Sequence, residues 1–410
     1  MKRIQKIFAL VLALAMVFSL CACGAATGSG TATVKSDKLG DIPVKAGFIF
    51  LHDENSTYDK NFIEAAKATC EALGIEYMFK TGIPEGEQCY DAACDLIDAG
   101  CNFIFADSFG HEDYLIKAAR EYPDVQFAHA TGTQAHTCEL PNFHNAFAAI
   151  YEGRYLAGVA AGLKLQELID AGTITEDEAK IGYVGAYTYA EVMSGYTSFF
   201  LGVRSIVPSA TMEVTFTGSW YDEAAEKEAA QKLIDNGCVL ISQHADSMGA
   251  PTACETAGVF NVSYNGSTES ACPNTFIVSS KINWAPYFEY AIIAVSKGED
   301  FATDWVGTIA TGSVELTSFG QAAAAGSEEK VNEVMSQLQA GTLHVFDTST
   351  FTVDGETLTS YMADVDTDAD YVGDHEVIVD GYFDESGDGF RSAPYFNITI
   401  DGITLLDQKY

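Results

Sequence analysis

Seven short polar runs hold residue types that could do chemistry. They are His52-Asp53-Glu54-Asn55-Ser56-Thr57-Tyr58, Asp107-Ser108-Phe109-Gly110-His111-Glu112, Thr131-Gly132-Thr133, Gly185-Ala186-Tyr187, Gly218-Ser219-Trp220-Tyr221, Gln243-His244-Ala245-Asp246-Ser247 and Tyr264-Asn265-Gly266. Ser, Asp, Asn and Gly also serve as turn and helix-cap residues, and Asp53, Asp222 and Ser247 are read as no more than that. Trp220 and Phe109 differ, because a cap has no use for a large ring whereas a planar ligand does. Asp107, His244 and Asp246 are of the types that exchange protons, so an acid/base hydrolase could be assembled from them. No GxSxG elbow, Walker loop, GxGxxG fingerprint or HExxH helix accompanies them, and the reading is of a binding protein without catalysis. Asp384-Glu385-Ser386-Gly387-Asp388-Gly389 imitates the start of a calcium loop, but Tyr395 stands where the closing Glu belongs. The acidic run Asp364–Asp370 reads as a solvated loop, and no CxxC pair or histidine pair occurs at zinc-ligand spacing. No metal and no cofactor is expected.

The elements that must position these runs follow from periodicity. Ala46–Leu51, Glu76–Phe79, Asn102–Ala106 and Val125–Ala130 read as strands, alternating with helices over Asp59–Leu73, Gln88–Ala99 and His111–Glu121. A helix from Tyr151 to about Leu168 follows, whose Gly158, Ala160, Ala161 and Gly162 permit close packing. The pattern then restarts, with strands at Lys180–Val184, Thr211–Phe216, Val239–Ser242 and Val259–Ser263 and helices between them. This grammar predicts an α/β protein of two lobes, each a mainly parallel sheet flanked by helices. Ligands of open parallel sheets gather beyond the carboxyl ends of the strands, where all seven runs fall, so two facing lobes would join them in one cleft. The expected division is residues 43–148 for lobe one, with a return segment at about 270–325, and 149–269 for lobe two, completed by 326–410. Within the last part, Glu376–Val379 and Asn397–Ile400 read as strands; residues 351–410 either complete lobe two or form an appended hairpin.

The start of the chain speaks of location. Lys2, Arg3 and Lys6 precede an apolar run from Ile7 to Leu20, too short to span a bilayer and laid out as a secretory signal over residues 1–22. Its end, Leu20-Cys21-Ala22-Cys23, resembles the lipobox of bacterial lipoproteins, which implies cleavage before Cys23 and acylation of that residue. Residues 23–42 then form a tether, Gly/Ser/Thr-rich at first, that holds the protein on the extracytoplasmic face of the cell membrane. The 410 residues carry 22 Lys and Arg against 58 Asp and Glu, a net charge of −36 that repels phosphate backbones and excludes a nucleic-acid partner. Eight cysteines lie beyond the signal region, and spacing alone leaves their pairing open.

A series of motifs in this order carries a family resemblance. The lipobox, Tyr58-Asp59-Lys60-Asn61-Phe62, Tyr122-Pro123-Asp124-Val125-Gln126-Phe127, Tyr155-Leu156-Ala157-Gly158-Val159-Ala160-Ala161 and Ile181-Gly182-Tyr183-Val184-Gly185 resemble the basic membrane protein family, substrate-binding lipoproteins of ABC importers. The resemblance runs from Phe48 to about Trp284. It implies a type I periplasmic-binding-protein-like fold whose two lobes close on a purine nucleoside or related compound, and a permease with its ATPase as partners. It further implies that Trp220 stacks on the base, that Ser56, Thr57, Tyr58, Asn61 and Phe62 at the first helix start face the ligand, and that Lys281 lies near the ribose. Asp107, Ser108, Phe109, His244 and Asp246 complete the expected ligand set. Two positions depart from the nucleoside-binding pattern: Thr131 stands for a carboxylate, and Asn265 for the aspartate that grips the ribose. An aspartate accepts both hydroxyl protons, whereas Asn offers one acceptor and two donors, so a free base stays open as the ligand. The 243–247 run with Trp220 and Asn283-Trp284 is closer to a base-binding branch. The competing classes are a lipid-anchored nucleoside hydrolase using Asp107, Asp246 and His244, and a surface receptor or adhesin acting through residues 351–410.

Overall fold

The computed structural model describes residues 36–363, 375–387 and 389–410, together with the backbone of a two-residue strand at Ser29–Gly30. The signal segment, Cys23, most of the tether, the acidic run Asp364–Asp370 and Asp388 lie outside the described residues.

In the first lobe β1 (Lys45–Ile49), β2 (Glu76–Lys80), β3 (Phe103–Ala106) and β4 (Gln126–Ala130) alternate with α1 (Thr57–Leu73), α2 (Glu87–Asp98) and α3 (Glu112–Glu121). Phe103–Ala106 is wholly buried, as a strand covered by helices on both faces must be. α1 begins where the Ser56 hydroxyl accepts a hydrogen bond from Asp59 N, and ends at Gly74, whose φ of 74° suits a residue without Cβ. A further strand, β5 (Phe143–Ala148), closes this part of the sheet; periodicity did not reveal it. Its His144 and Asn145 break the apolar run, yet both are buried, His144 stacked on Phe301 at 3.7 Å and Asn145 bonded to Glu112 at 3.0 Å.

Helix α4 (Ile150–Asp170) opens the second lobe, followed by β6 (Lys180–Gly185), α5 (Ala190–Arg204), β7 (Thr211–Phe216), α6 (Glu223–Asp235), β8 (Leu240–His244), α7 (Gly249–Ala257), β9 (Phe260–Tyr264) and β10 (Phe276–Ile282). The segment expected to return to lobe one does so later than the sequence suggested. β10 pairs in parallel with β9 in the second sheet, so the return begins at α8 (Ala285–Lys297) and β11 (Asp304–Gly307). Phe288 of α8 then packs on Phe48 and Phe105 of the first sheet at 5.2 and 4.9 Å. β12 (Val314–Leu316) pairs antiparallel with β10, back in the second sheet, and α9 (Ser327–Gln339) follows.

The first sheet runs Ser29–Gly30, β2, β1, β3, β4, β5, β11; the second runs β12, β10, β9, β8, β6, β7, then β13 (Ile403–Leu405). In both the first strand lies between the second and third, which puts a topological switch point in each lobe. Within Glu376–Val379, Glu376 ends a strand paired with Met362–Ala363 and Ile378–Val379 pairs with Tyr382–Phe383, whereas residues 397–400 form no strand, Ile398 and Ile400 being buried in irregular chain; β13 runs parallel to β7. Three segments join the lobes and are bonded to one another. Ala149 N donates to Gly307 O at 2.7 Å, Asn283 N to Ser313 O at 2.8 Å, and Ile309 N to the Glu152 carboxylate at 2.9 Å.

Helices α4 and α5 meet with no spare room. A Cβ added to Gly158 would lie 2.1 Å from the Phe199 carbonyl oxygen, and one on Gly202 would lie 2.1 Å from that of Tyr155. Gly158→Ala is expected to destabilise the protein by about 1–3 kcal/mol through overpacking. Urea unfolding checks this, and an unchanged midpoint would contradict it.

Candidate ligand-binding cleft between the lobes

The carboxyl ends of the strands in the two lobes face each other across a narrow cleft. The first lobe contributes His52, Tyr58, Asp59, Ser108, Phe109 and Thr131; the second contributes Glu191, Trp220, His244, Asp246 and Tyr264. Matching positions just beyond β4 and β9 carry Thr131 and Asn265, with φ of 67° and 66°. Asn tolerates the left-handed region, but Thr, being β-branched, does so at a cost, and such strain gathers at functional sites.

The lobes touch at several points. Thr57 N donates to Asp246 O at 3.1 Å, joining the start of α1 to the far lobe. His52 lies 5.4 Å from the Tyr221 ring, and Phe109 stacks on Tyr189 at 5.1 Å. Tyr189 stacks in turn on Tyr187 at 5.2 Å, and Trp220 stands edge-on to Tyr187 at 5.1 Å. An aromatic lip thus spans the cleft.

Three buried aspartates set the electrostatics. Burial pulls Asp59 upward, but hydrogen bonds from His52 and Ser56 outweigh it and hold the carboxyl below its ordinary value. Burial, followed by the charge on Asp59, pushes Asp107 well above its ordinary value. Burial, then Asp59, Glu226 and Glu191, does the same to Asp246. Burial thus favours the neutral form at Asp107 and Asp246, while hydrogen bonds favour the charged form at Asp59, so the three carboxyls can offer both donors and acceptors. Burial lowers His244, whose Nε2 lies 3.3 Å from Glu191 and whose Nδ1 lies 3.5 Å from the Tyr183 hydroxyl. Tyr183 is held by the buried Arg154 at 2.9 Å. Asn61 Nδ2, Thr131 Oγ1 and Tyr264 OH are buried without a hydrogen-bond partner among the described residues. Buried polar groups are nearly always paired, so these are groups that a polar ligand could satisfy.

Of the residues expected from sequence, Tyr58, Ser108, Phe109, Thr131, Trp220, His244 and Asp246 line the cleft. Ser56 caps α1 and Thr57 bridges the lobes. Asp107 lies behind the surface, its carboxylate accepting from Leu51 N at 3.1 Å while Tyr58 donates to its carbonyl. Phe62 belongs to the core, stacked on Trp284 at 4.3 Å, so neither ring faces a ligand. Asn265 is buried, its N–H donating to Ser280 O at 2.8 Å. Lys281 does not line the cleft; its ammonium pairs with Glu315 at 3.4 Å, because β12 runs alongside β10.

His52 and Tyr264 line the cleft within runs expected there though outside the expected ligand set, while Asp59 and Glu191 line it unanticipated. Asp59 and Glu191 occupy first turns of helices, where acids ordinarily complement the helix dipole, and nothing in sequence separates the two roles. Asp53, Asp222 and Ser247 are turn and cap residues as read, accepting from Asn55 N, Ala224 N and Gly249 N. Glu385 of the calcium-like run is buried and taken up by Ser194 Oγ and Phe396 N, at 2.7 and 2.6 Å. All eight described cysteines are free thiols.

The family described as "ABC transporter substrate-binding protein PnrA-like" matches residues 50–343. A purine-binding protein of Brucella abortus is 33% identical over 267 residues, 63% of this chain and 71% of that protein. A putative ABC transporter glucose-binding protein of Haloferax volcanii is 28% identical over 320 residues, covering 78% and 74% respectively. Among solved structures, a solute-binding protein of an ABC transporter system from Aeropyrum pernix superposes with a TM-score of 0.62 at 18% identity, covering 74% of this chain and 93% of that one. At that identity the likeness speaks for the fold, which is the periplasmic-binding-protein-like α/β fold.

Glu226 holds the Asp246 loop from behind, accepting from Ser247 N at 3.2 Å and from Asp222 N at 3.1 Å. Burial, the largest influence, pushes its carboxyl from 4.5 up to about 7. Between those values the native chain keeps a proton that the unfolded chain has released, so this group makes stability fall as pH rises through the window and leaves it level above. Glu226→Gln is expected to remove that contribution, its stability relative to the parent rising with pH across the same interval. Urea unfolding across the window reads the difference; parallel pH profiles would contradict it.

Proposed function

The chain belongs to the Bmp family of ABC transporter substrate-binding proteins, and from that premise we propose that it captures a purine base or ribonucleoside in the cleft and delivers it to a membrane permease driven by its ATPase. The observation that carries this reading is the meeting of flat aromatic surface with carboxyl groups in one small cleft: Trp220 beside Asp246, His244 and Glu191 on one lobe, Tyr58, Phe109 and Asp59 on the other. A purine needs both, a face to stack on and partners for the donors and acceptors at its edge. Trp220 takes the stacking role. Asp246, Ser108 and Thr131 hydrogen-bond the ring edge, and Asn265 stands nearest in role to a ribose partner. No bond is made or broken; the lobes close, exclude water and release the ligand on the permease. Residues 1–22 are a signal, and lipid on Cys23 keeps the protein on the extracytoplasmic face, since a single acyl chain binds weakly and lipoproteins carry more.

Mass spectrometry of small molecules released by denaturing the protein, followed by calorimetric titration with adenine, guanine, hypoxanthine, their ribonucleosides and glucose, tests the reading. Purine binding is expected; binding of glucose with no purine would overturn it. Asn265 in place of an aspartate leads us to expect each base to bind at least comparably to its nucleoside, and Asn265→Asp to move selectivity toward the nucleoside. A strong preference of the unaltered protein for the nucleoside, abolished by removing the ribose hydroxyls, would reject that expectation. Trp220→Ala should cost about 1–3 kcal/mol of binding, the scale of base stacking on aromatic side chains, and Trp220→Phe less. An unchanged affinity in a normally melting Trp220→Ala variant would remove the ring from the site. For the anchor, Cys23→Ala should abolish labelling by a fatty-acid analogue; labelling equal to the parent would exclude Cys23 as the acylated residue.

A further inference from the structure

The family match ends at residue 343, yet the chain beyond it comes back to the mouth of the cleft. β13 lies parallel to β7, with Ile403, Thr404 and Leu405 opposite Met212, Glu213 and Val214. The chain then continues along β7 toward its carboxyl end. Leu406 N donates to Val214 O at 2.8 Å. The Asp407 carboxylate accepts from Thr215 Oγ1 and Phe216 N, each at 2.7 Å, and faces Lys232 Nζ at 3.6 Å. Two residues later Lys409 and Thr188 are joined twice: Thr188 N donates to Lys409 O at 2.7 Å, and Lys409 N to Thr188 Oγ1 at 2.9 Å.

Thr188 sits between Tyr187 and Tyr189, the stacked pair against which Trp220 and Phe109 rest. Residues 406–409 therefore fix the backbone from which both tyrosine rings project, and Asp407 fixes the end of β7, four residues before Trp220. The Thr188 N–H is pinned from outside its own loop, by a segment that the matched family region does not contain.

We propose that residues 406–409 are a strap that positions the aromatic lip, with Thr188 as the positioning residue, and so set how long a bound ligand stays in the cleft. This rests on the reading of the cleft as a purine site for its ligand arm only. A lip held in place needs no ordering when a ligand arrives, and its loosening shows chiefly in the rate of escape.

The test uses the full chain and three variants: removal of Gln408–Tyr410, Thr188→Val, which loses the acceptor oxygen, and Thr188→Ser, which keeps it. Amide hydrogen exchange of the 186–190 segment is independent of any ligand. It should accelerate in the shortened chain and in Thr188→Val and stay as in the parent in Thr188→Ser. Stopped-flow binding of the tightest purine should show a dissociation rate raised on the order of tenfold in the first two variants, with the association rate and the melting temperature little changed. Unaltered exchange at 186–190 in the shortened chain would overturn the strap itself. Faster exchange with an unaltered dissociation rate would overturn its effect on residence. Should the parent bind no purine, the purine reading fails while the exchange arm still decides the strap.

Discussion

A guanidinium without an ion-pair partner among the described residues lies at the base of the second lobe, and the cleft above it depends on how that charge is accommodated. Arg154, in the second turn of α4, is fully buried. Its nitrogens donate to the Ser263 carbonyl at 3.1 Å, to Ser242 Oγ and the Tyr183 hydroxyl at 2.9 Å, and to Ser280 Oγ at 3.5 Å. The rings of Tyr183, Phe199 and Tyr264 surround it at 5.2–5.3 Å. A charge removed from water is costly unless its donors are met, and here hydroxyls, a carbonyl and π faces meet the two terminal nitrogens, while Nε has no hydrogen-bond partner among the described residues. Those partners lie on β6, β8, β9 and β10, so one side chain fixes four strands, of which β8 presents His244 and Asp246 and β9 presents Asn265. The link through Tyr183 to His244 and Glu191 carries the constraint to the cleft wall.

The acids at the cleft follow the same rule from the opposite sign. Closing two lobes over Asp59, Asp107 and Asp246 would be prohibitive with every carboxylate ionised. Burial favours the neutral form of Asp107 and Asp246, while bonds from His52 and Ser56 favour the charged form of Asp59. Charge is thus disfavoured at two of these three buried acids in a chain whose net charge is −36. Surface acidity and site acidity are thus separate matters, and composition reveals only the first.

Much of the architecture was legible because parallel strands covered on both sides must be apolar runs, and β1, β3, β6 and β8 are such runs. β5 was missed because its His144 and Asn145 are buried through partners distant in sequence, which no local pattern displays. β10 was assigned to the wrong sheet for a similar reason: an apolar strand does not announce its neighbour. At the cleft, residues at strand tips and Tyr58 were found, whereas the acids in first helical turns, Asp59 and Glu191, were not. Phe62 and Trp284 were expected near a ligand from the family resemblance, yet they stack on each other inside the first lobe. Spacing brought them to the right end of the sheet, and only packing decides which way a ring faces.

The contact between α4 and α5 has a mechanical consequence. With Gly158 and Gly202 leaving their backbones against carbonyl oxygens of the opposite helix, the joint has no slack in which one helix could slide over the other. Arg154 fastens the same helix to the sheet beneath. The second lobe is thus built as a lever without internal play, and displacement between the lobes is left to the three joining segments. These are cross-bonded at Ala149, Asn283 and Ile309, so they bend together as one leaf spring, and its stiffness sets the force the permease must supply to pry the cleft open.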